Sequence, residues 1–256
     1  MFTYLDAEPY RPSLESLFEL YWDLMPRYQG VALEQLEFRR LLFGMFPTYR
    51  QSPLPPGFDR VLQVGDASGI QSPLSFGGFG ALTRHLPRLV GAVREALDSG
   101  SLDRDSLSLI NPYLPNLSAT WLFQRTMSLR QGQAKKADFI NRVMGGNFKN
   151  MQRLGPAVMM PFLQDVVQFG GLGSILASQI AGDPLFVPQI LGQLEPALLL
   201  DWLGHFGAMG GYELAHNLLG PLVRSAAAKL PPSSPERFRL HRLAEAWEFG
   251  SGLDYH

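Results

Sequence analysis

Apolar and polar positions follow two rhythms along this chain, and the rhythm changes near residue 100. Leu14, Leu17, Phe18, Tyr21 and Leu24 recur at helical spacing. Ser13 precedes them as an N-cap, with Ser16 where a capping box would carry Glu, and Pro26 is expected to end the helix. Shorter apolar runs predict strands: Phe2 and Tyr4 within MFTYLD, FRRLLFGMFPTYR over 38–50, and a buried VLQV over 61–64. The intervening QSPLPPGFDR reads as a loop. From Gly77 to Leu97 the helical period returns, with Leu82, Leu86, Leu89, Val93 and Leu97 on one face. Pro87 marks a kink or an early break in it.

Beyond residue 100 strand signals nearly vanish. NPYLPNLSATWLFQRTMSL, ADFINRVMGGNF, PAVMMPFLQDVVQF, EPALLLDWLGHFGAMGGYELAHNLL and SPERFRLHRLAEAWEF all read as helices. Leu114-Pro115, Gly155-Pro156, Asp183-Pro184 and the PPSSP run separate them. No fixed period repeats, so a solenoid is not indicated. The pattern predicts an α+β chain, predominantly α: a small mixed α/β unit over residues 1–100, then a helical domain over 101–256.

Composition narrows the function classes. With 256 residues, 46% hydrophobic and 18% charged, the chain can bury a sizeable core. A net charge of -1 and the lack of a basic stripe interleaved with aromatics argue against nucleic acid as a partner. The absence of cysteine removes thiolate catalysis, disulfides and zinc–cysteine sites, and favours an intracellular, cytoplasmic setting. MFTYLDAEPYRP has neither the basic nor the apolar part of a signal peptide. PALLLDWLGHFGAMGGYELA carries Asp201, His205 and Glu213, which suits a buried helix better than a membrane span.

The most informative stretch is VLQVGDASGIQSPLSFGGFG, residues 61–80. A strand leading through Gly-Asp into a helix N-terminus presents free N–H groups and the positive end of a dipole. Glycine lets a ligand approach the backbone closely, and Asp can accept hydrogen bonds from hydroxyls. A plain helix cap and turn would use the same residue types. The longer string resembles the second flavin-binding motif of FAD-dependent oxidoreductases, the group of aromatic hydroxylases, geranylgeranyl reductases and lycopene cyclases. It is most similar to a lycopene-cyclase-like branch of cyanobacteria and plastids. The matching residues are Val61 to Val64, Gly65, Asp66, Ala67, Gly69, Pro73, Gly77, Gly78 and Gly80.

That resemblance implies FAD as the cofactor. Asp66 would hold a ribityl hydroxyl. The backbone from Gly69 to Ser75 would approach the pyrophosphate or the flavin's pyrimidine edge. Pro73 would lie beside the isoalloxazine, and Gly77, Gly78 and Gly80 would let the helix start pack beneath it. The implied activity is redox chemistry on an apolar, isoprenoid- or carotenoid-like substrate. The family's N-terminal Gly-x-Gly-x-x-Gly is missing: Gly78-Phe79-Gly80 and Gly171-Leu172-Gly173 both lack the third glycine. The expected FAD site is therefore incomplete. A start placed too late, a split gene whose other product supplies the nucleotide-binding half, and a remnant that no longer binds FAD all fit. The contrasting expectation is a non-catalytic helical binding or interaction protein derived from a flavoenzyme.

Other constellations are weaker. Asp201 with His205, and Glu213 with His216, have helical metal-ligand spacing, but the nearby glycines weaken that helix and no metal site is expected. His85, between Arg84 and Arg88, is within reach of a phosphate or faces solvent. His241 reads as a surface residue, and no serine has a base and an orienting acid. The glycine-rich apolar segments from Leu154 to Leu219 form either an ordinary helical core or a hydrophobic groove for an isoprenoid-like molecule, with peripheral membrane contact as a further expectation.

Overall fold

The computed structural model describes residues 3–5, 7, 9, 11–74, 77–128, 139–185, 188 and 196–255. Phe2, Ser75, Leu129, Ala137, Asp138 and Glu195, each part of an expectation above, lie outside them. Helix α1 spans Leu14–Gln29, α2 Gly78–Ser99, α3 Arg104–Ser108, α4 Pro115–Met127 and α5 Phe139–Leu154. Helix α6 spans Pro156–Leu163, α7 Phe169–Gly182, α8 Pro196–Ala228 and α9 Pro235–Ser251.

The expected α/β unit is corrected: among the described residues the chain is helical and forms no sheet. Of residues 3–5 only Leu5 makes an isolated bridge, and 36–49 and 61–64 run without a ladder. An apolar run becomes a strand only where a neighbouring edge takes its backbone groups. Here other groups take them. Arg60 N–H donates to the Leu102 carbonyl (2.8 Å), and the Asn111 amide donates to the Gln63 carbonyl (2.8 Å). The 38–50 run leaves Leu41, Leu42, Phe43, Met45 and Phe46 exposed. Its aromatics instead lean on α1, Phe38 against Trp22 (5.0 Å) and Phe43 against Phe18 (5.5 Å).

Local signals explain the helix ends. The Ser13 hydroxyl accepts from Ser16 N–H (3.1 Å) and caps α1. Pro26 lies inside α1, which ends at Gly30 in the left-handed region (φ 71°). Pro87 likewise lies within the 22-residue α2 without ending it. PAVMMPFLQDVVQF divides between α6 and α7, and the turn between them holds the buried Asp165 at φ 65°.

Helix α4 is the centre of the packing and is buried over nearly its whole length. Three apolar clusters form the core, two of them including α4. Leu89, Ala92 and Ala96 of α2 meet Leu107, Ile110 and Phe238. Ala119 and Leu122 of α4 meet Val167, Leu172, Trp202 and Met209. Tyr4, Leu74, Met127 and Val143 form the third. The inward face of α2 is not the leucine stripe. Ala81, His85, Arg88, Leu89, Ala92 and Ala96 are buried, whereas Leu86, Val93 and Leu97 are exposed.

Candidate ligand-binding cavity

Residues 65–74 form a tight turn that leads toward α2. Gly65, Asp66, Ala67 and Ser68 form one 3-10 turn, closed by Gly69 at φ 66°. Gly65 is itself at φ 59°, and Asp66 and Ala67 are exposed. The Asp66 carboxylate lies against Gly78 at the start of α2, where an added Cβ would stand 2.9 Å from it. Gly77 and Gly78 are half-buried, and Gly80 is exposed. Pro73 points elsewhere, into the core beside Ser72 and Leu74.

Side chains from elsewhere in the chain pack against this loop. Tyr49 packs onto Gly69 so closely that a Cβ there would stand 2.7 Å from its ring. The Ser52 hydroxyl donates to the Gly69 carbonyl (2.8 Å), and Ser72 N–H donates to the Asp165 carboxylate (3.0 Å). The helical architecture, with no sheet among the described residues, overturns FAD as cofactor, the flavoprotein description and the redox function. The described residues contain neither a dinucleotide-binding sheet nor a cluster suited to hold a metal.

A cavity of about 390 Å³ lies elsewhere, between α4, α5, α6, α7 and the first turns of α8. Helix α5 faces it with Val143, Met144, Asn147, Phe148 and Met151, and α7 with Leu172, Ile175, Leu176, Gln179 and Ile180. Both sets follow helical periodicity. Helix α6 contributes Val158, Pro161 and Phe162, and α8 contributes Leu199, Trp202 and Leu203. Aromatic contacts stiffen the wall. Trp202 stacks on Phe206 (5.3 Å) and meets Phe123 edge-on, and its indole N–H donates to the Ala119 carbonyl (2.9 Å). Phe148 and Phe162 make a second edge-on pair (6.2 Å).

The polar groups lining the cavity are neutral: Thr120, Thr126, Asn147, Gln168 and Gln179. Both threonine hydroxyls donate to backbone carbonyls of their own helix, Leu117 and Phe123, each at 2.7 Å. Gln179 accepts from the Asn150 amide. No ionisable side chain lines the cavity among the described residues.

Two ionisable clusters lie outside it. The Tyr113 hydroxyl and His205 Nδ1 share a hydrogen bond, and burial, with Tyr212 and Asp201 nearby, raises the Tyr113 pKa. His205 Nε2 faces Asp201 (3.2 Å), which also accepts from Arg50 (2.8 Å). The Arg50 hydrogen bond, assisted by His205, holds the Asp201 carboxyl below its ordinary value. The continuous α8 thus pairs Asp201 with His205 despite its glycines, as a tie to the 36–64 segment. The second cluster joins α2 to α9. Arg84 pairs with Asp254 (2.5 Å), and Arg242 pairs with Glu95 (3.1 Å) and Glu245 (2.9 Å). His241 also reaches Glu95 (2.7 Å).

Sequence reasoning offered a groove in 154–219 only as the alternative to an ordinary helical core, and missed the walls from α4 and α5. The five cavity-facing positions of α5 were the available signal. Among the described residues, no helix is long and apolar enough to cross a membrane. No known protein family, no curated protein and no solved structure matches this chain.

Proposed function

We propose that this chain is a helical binding protein that holds an apolar small molecule without transforming it. The cavity of about 390 Å³ carries that reading: its size lies in the range of small-molecule sites, and hydrocarbon dominates its walls. The charge-free lining favours a neutral guest, since a buried ion would need a partner there. An isoprenoid with a hydroxyl, carbonyl or amide end fits that chemistry, its polar end meeting Asn147 or Gln179. The hydroxyls at the wall already have acceptors, and the Tyr113–His205–Asp201 relay does not face the guest. Binding rather than turnover follows.

N-phenyl-1-naphthylamine is the probe for this reading. Its fluorescence is expected to rise saturably on titration, with Trp202 emission changing in step. Val158→Phe fills the cavity, and Ile180→Lys adds a charge at an exposed lining position. Each is expected to weaken binding about tenfold or more, with circular dichroism unchanged. Non-saturable fluorescence, or equal affinity in the folded variants, would sink the proposal.

A further inference from the structure

Helix α8 is 33 residues long, on the order of 50 Å. Helices α4, α7 and α9 cover one side of it. Among the described residues, nothing covers the other side. Leu200, Leu214, Leu218 and Leu222 are each 60–70% exposed along it. From Pro196 to Leu222 the exposed positions hold only Leu, Gly, Ala, Pro and one Asn, and no charge.

Three glycines of this face have no internal explanation. Gly204, Gly207 and Gly211 are exposed, and a Cβ at any of them would meet nothing within 4 Å. Gly210, on the covered side, contrasts with them, since its Cβ would crowd the Phe169 ring at 3.2 Å. Glycine weakens a helix interior, so three unneeded ones ask for a reason. Close approach of a second helix backbone is such a reason.

The spacing identifies that helix. Leu200 and Leu218 each lie nine residues from Met209, Gly204 and Leu214 five, and Gly207 and Gly211 two. The positions mirror one another about Met209, with like residues at the ±2 and ±9 pairs and Gly against Leu at ±5. We infer that α8 pairs antiparallel with α8 of a second copy of this chain, about a two-fold axis at the level of Met209. Glycines then cross at the axis, Leu214 of each copy fills the gap over Gly204 of the other, and Leu200 meets Leu218. Such a surface is self-complementary, as a two-fold interface requires. With Leu219, the leucines offer on the order of 600 Å² per copy, close to the roughly 800 Å² per partner of a stable interface once the glycine floor is included. A lipid surface is the poorer occupant, because Pro196 to Val223 contains no Lys or Arg to meet headgroups.

Sedimentation velocity across roughly 1–100 µM is the test. The chain is expected at twice its 28.5 kDa mass. Leu214→Glu with Leu218→Glu, or Gly207→Leu alone, is expected to give monomers with unchanged circular dichroism, since these positions are exposed. The protein has no cysteine of its own, so orientation can be read by cross-linking. Mixed Gly204→Cys and Leu214→Cys chains are expected to oxidise to a disulfide faster than either alone. A monomer at the highest concentration overturns the inference, as does a dimer indifferent to both variants. Equal cross-linking of each cysteine variant alone overturns the antiparallel register. A monomer that co-sediments with phosphatidylcholine vesicles assigns the face to lipid instead.

Discussion

Arg242→Ala is expected to lose about 3–5 kcal/mol of stability, because it removes a buried cation that two half-buried acids share rather than merely removing a contact. Arg242 is buried in α9 and is the cation that two acids share, Glu95 from α2 and Glu245 from its own helix. Its guanidinium also lies over the Phe238 ring (5.5 Å), and Phe238 is part of the apolar contact between α2 and α9. Removing it leaves, among the described residues, Glu95 with His241 and Glu245 with Arg88, which stands 4.0 Å away. In a chain of this size the loss corresponds to a drop of roughly 6–20 °C in Tm. The check is guanidinium denaturation of both proteins at pH 7. A fall of less than about 1 kcal/mol would show that the pairs are solvated and contribute as surface ion pairs do. Arg242→Met combined with Glu245→Leu is expected to lose less than Arg242→Ala alone, since cation and carboxylate leave together.

The same α2–α9 layer shows what the sequence could and could not say. The existence of α2 was legible from its leucine spacing, and its start at Gly77-Gly78 from the glycine run. Its inward face was not. Leu82, Leu86, Val93 and Leu97 formed the better apolar stripe, yet His85 and Arg88 turn inward beside Leu89. Hydropathy alone ranks that face poorly. It becomes the stable one only because α9 brings Glu245 and Phe249, and the Ile110 carbonyl accepts from Arg88 (2.5 Å), none of which is local information. The strand expectations failed for a related reason. Apolar runs such as 38–50 and 61–64 carry the composition of a strand, but a strand is a pairing, and no partner edge exists among the described residues. The Gly-Asp string carried the FAD expectation on residue order alone. Tyr49 and Ser52, distant from a motif search, close the space at Gly69. The cavity was half legible: glycine-rich apolar stretches announced crowding between α6, α7 and α8, but nothing local joined them to α5.

Glu245→Gln is expected to make stability fall as the pH drops below 6.5, by about 1.4 kcal/mol per pH unit relative to the parent protein. The half-buried Glu245 and the buried His85 of the α2–α9 layer oppose each other in the parent. Burial pushes the Glu245 carboxyl up to about 7, against the attraction of Arg242 and Arg88 and with help from Glu95 and Glu248. Its folded pKa exceeds the unfolded one. Its contribution is therefore full below about 4.5 and is lost as the pH rises through 7. Burial holds His85 well below 6.5, with Arg84 and Arg88 adding to the effect. The neutral ring accepts from Arg88 at Nδ1 (3.4 Å). Its contribution is the reverse: present above 6.5 and lost as the pH falls, because only the unfolded chain gains the proton. Below pH 6.5 the two slopes oppose each other, so in the parent the two groups offset one another. Gln at 245 removes one slope and exposes the other, a difference of roughly 2 kcal/mol between pH 6.5 and 5. His85→Phe exposes the opposite slope, so that variant gains stability relative to the parent as the pH falls from 7 toward 4.5. Urea midpoints at half-unit pH intervals for the three proteins measure all of this. Parallel profiles would mean that neither group changes its proton affinity on folding, and the buried layer would then have to admit water.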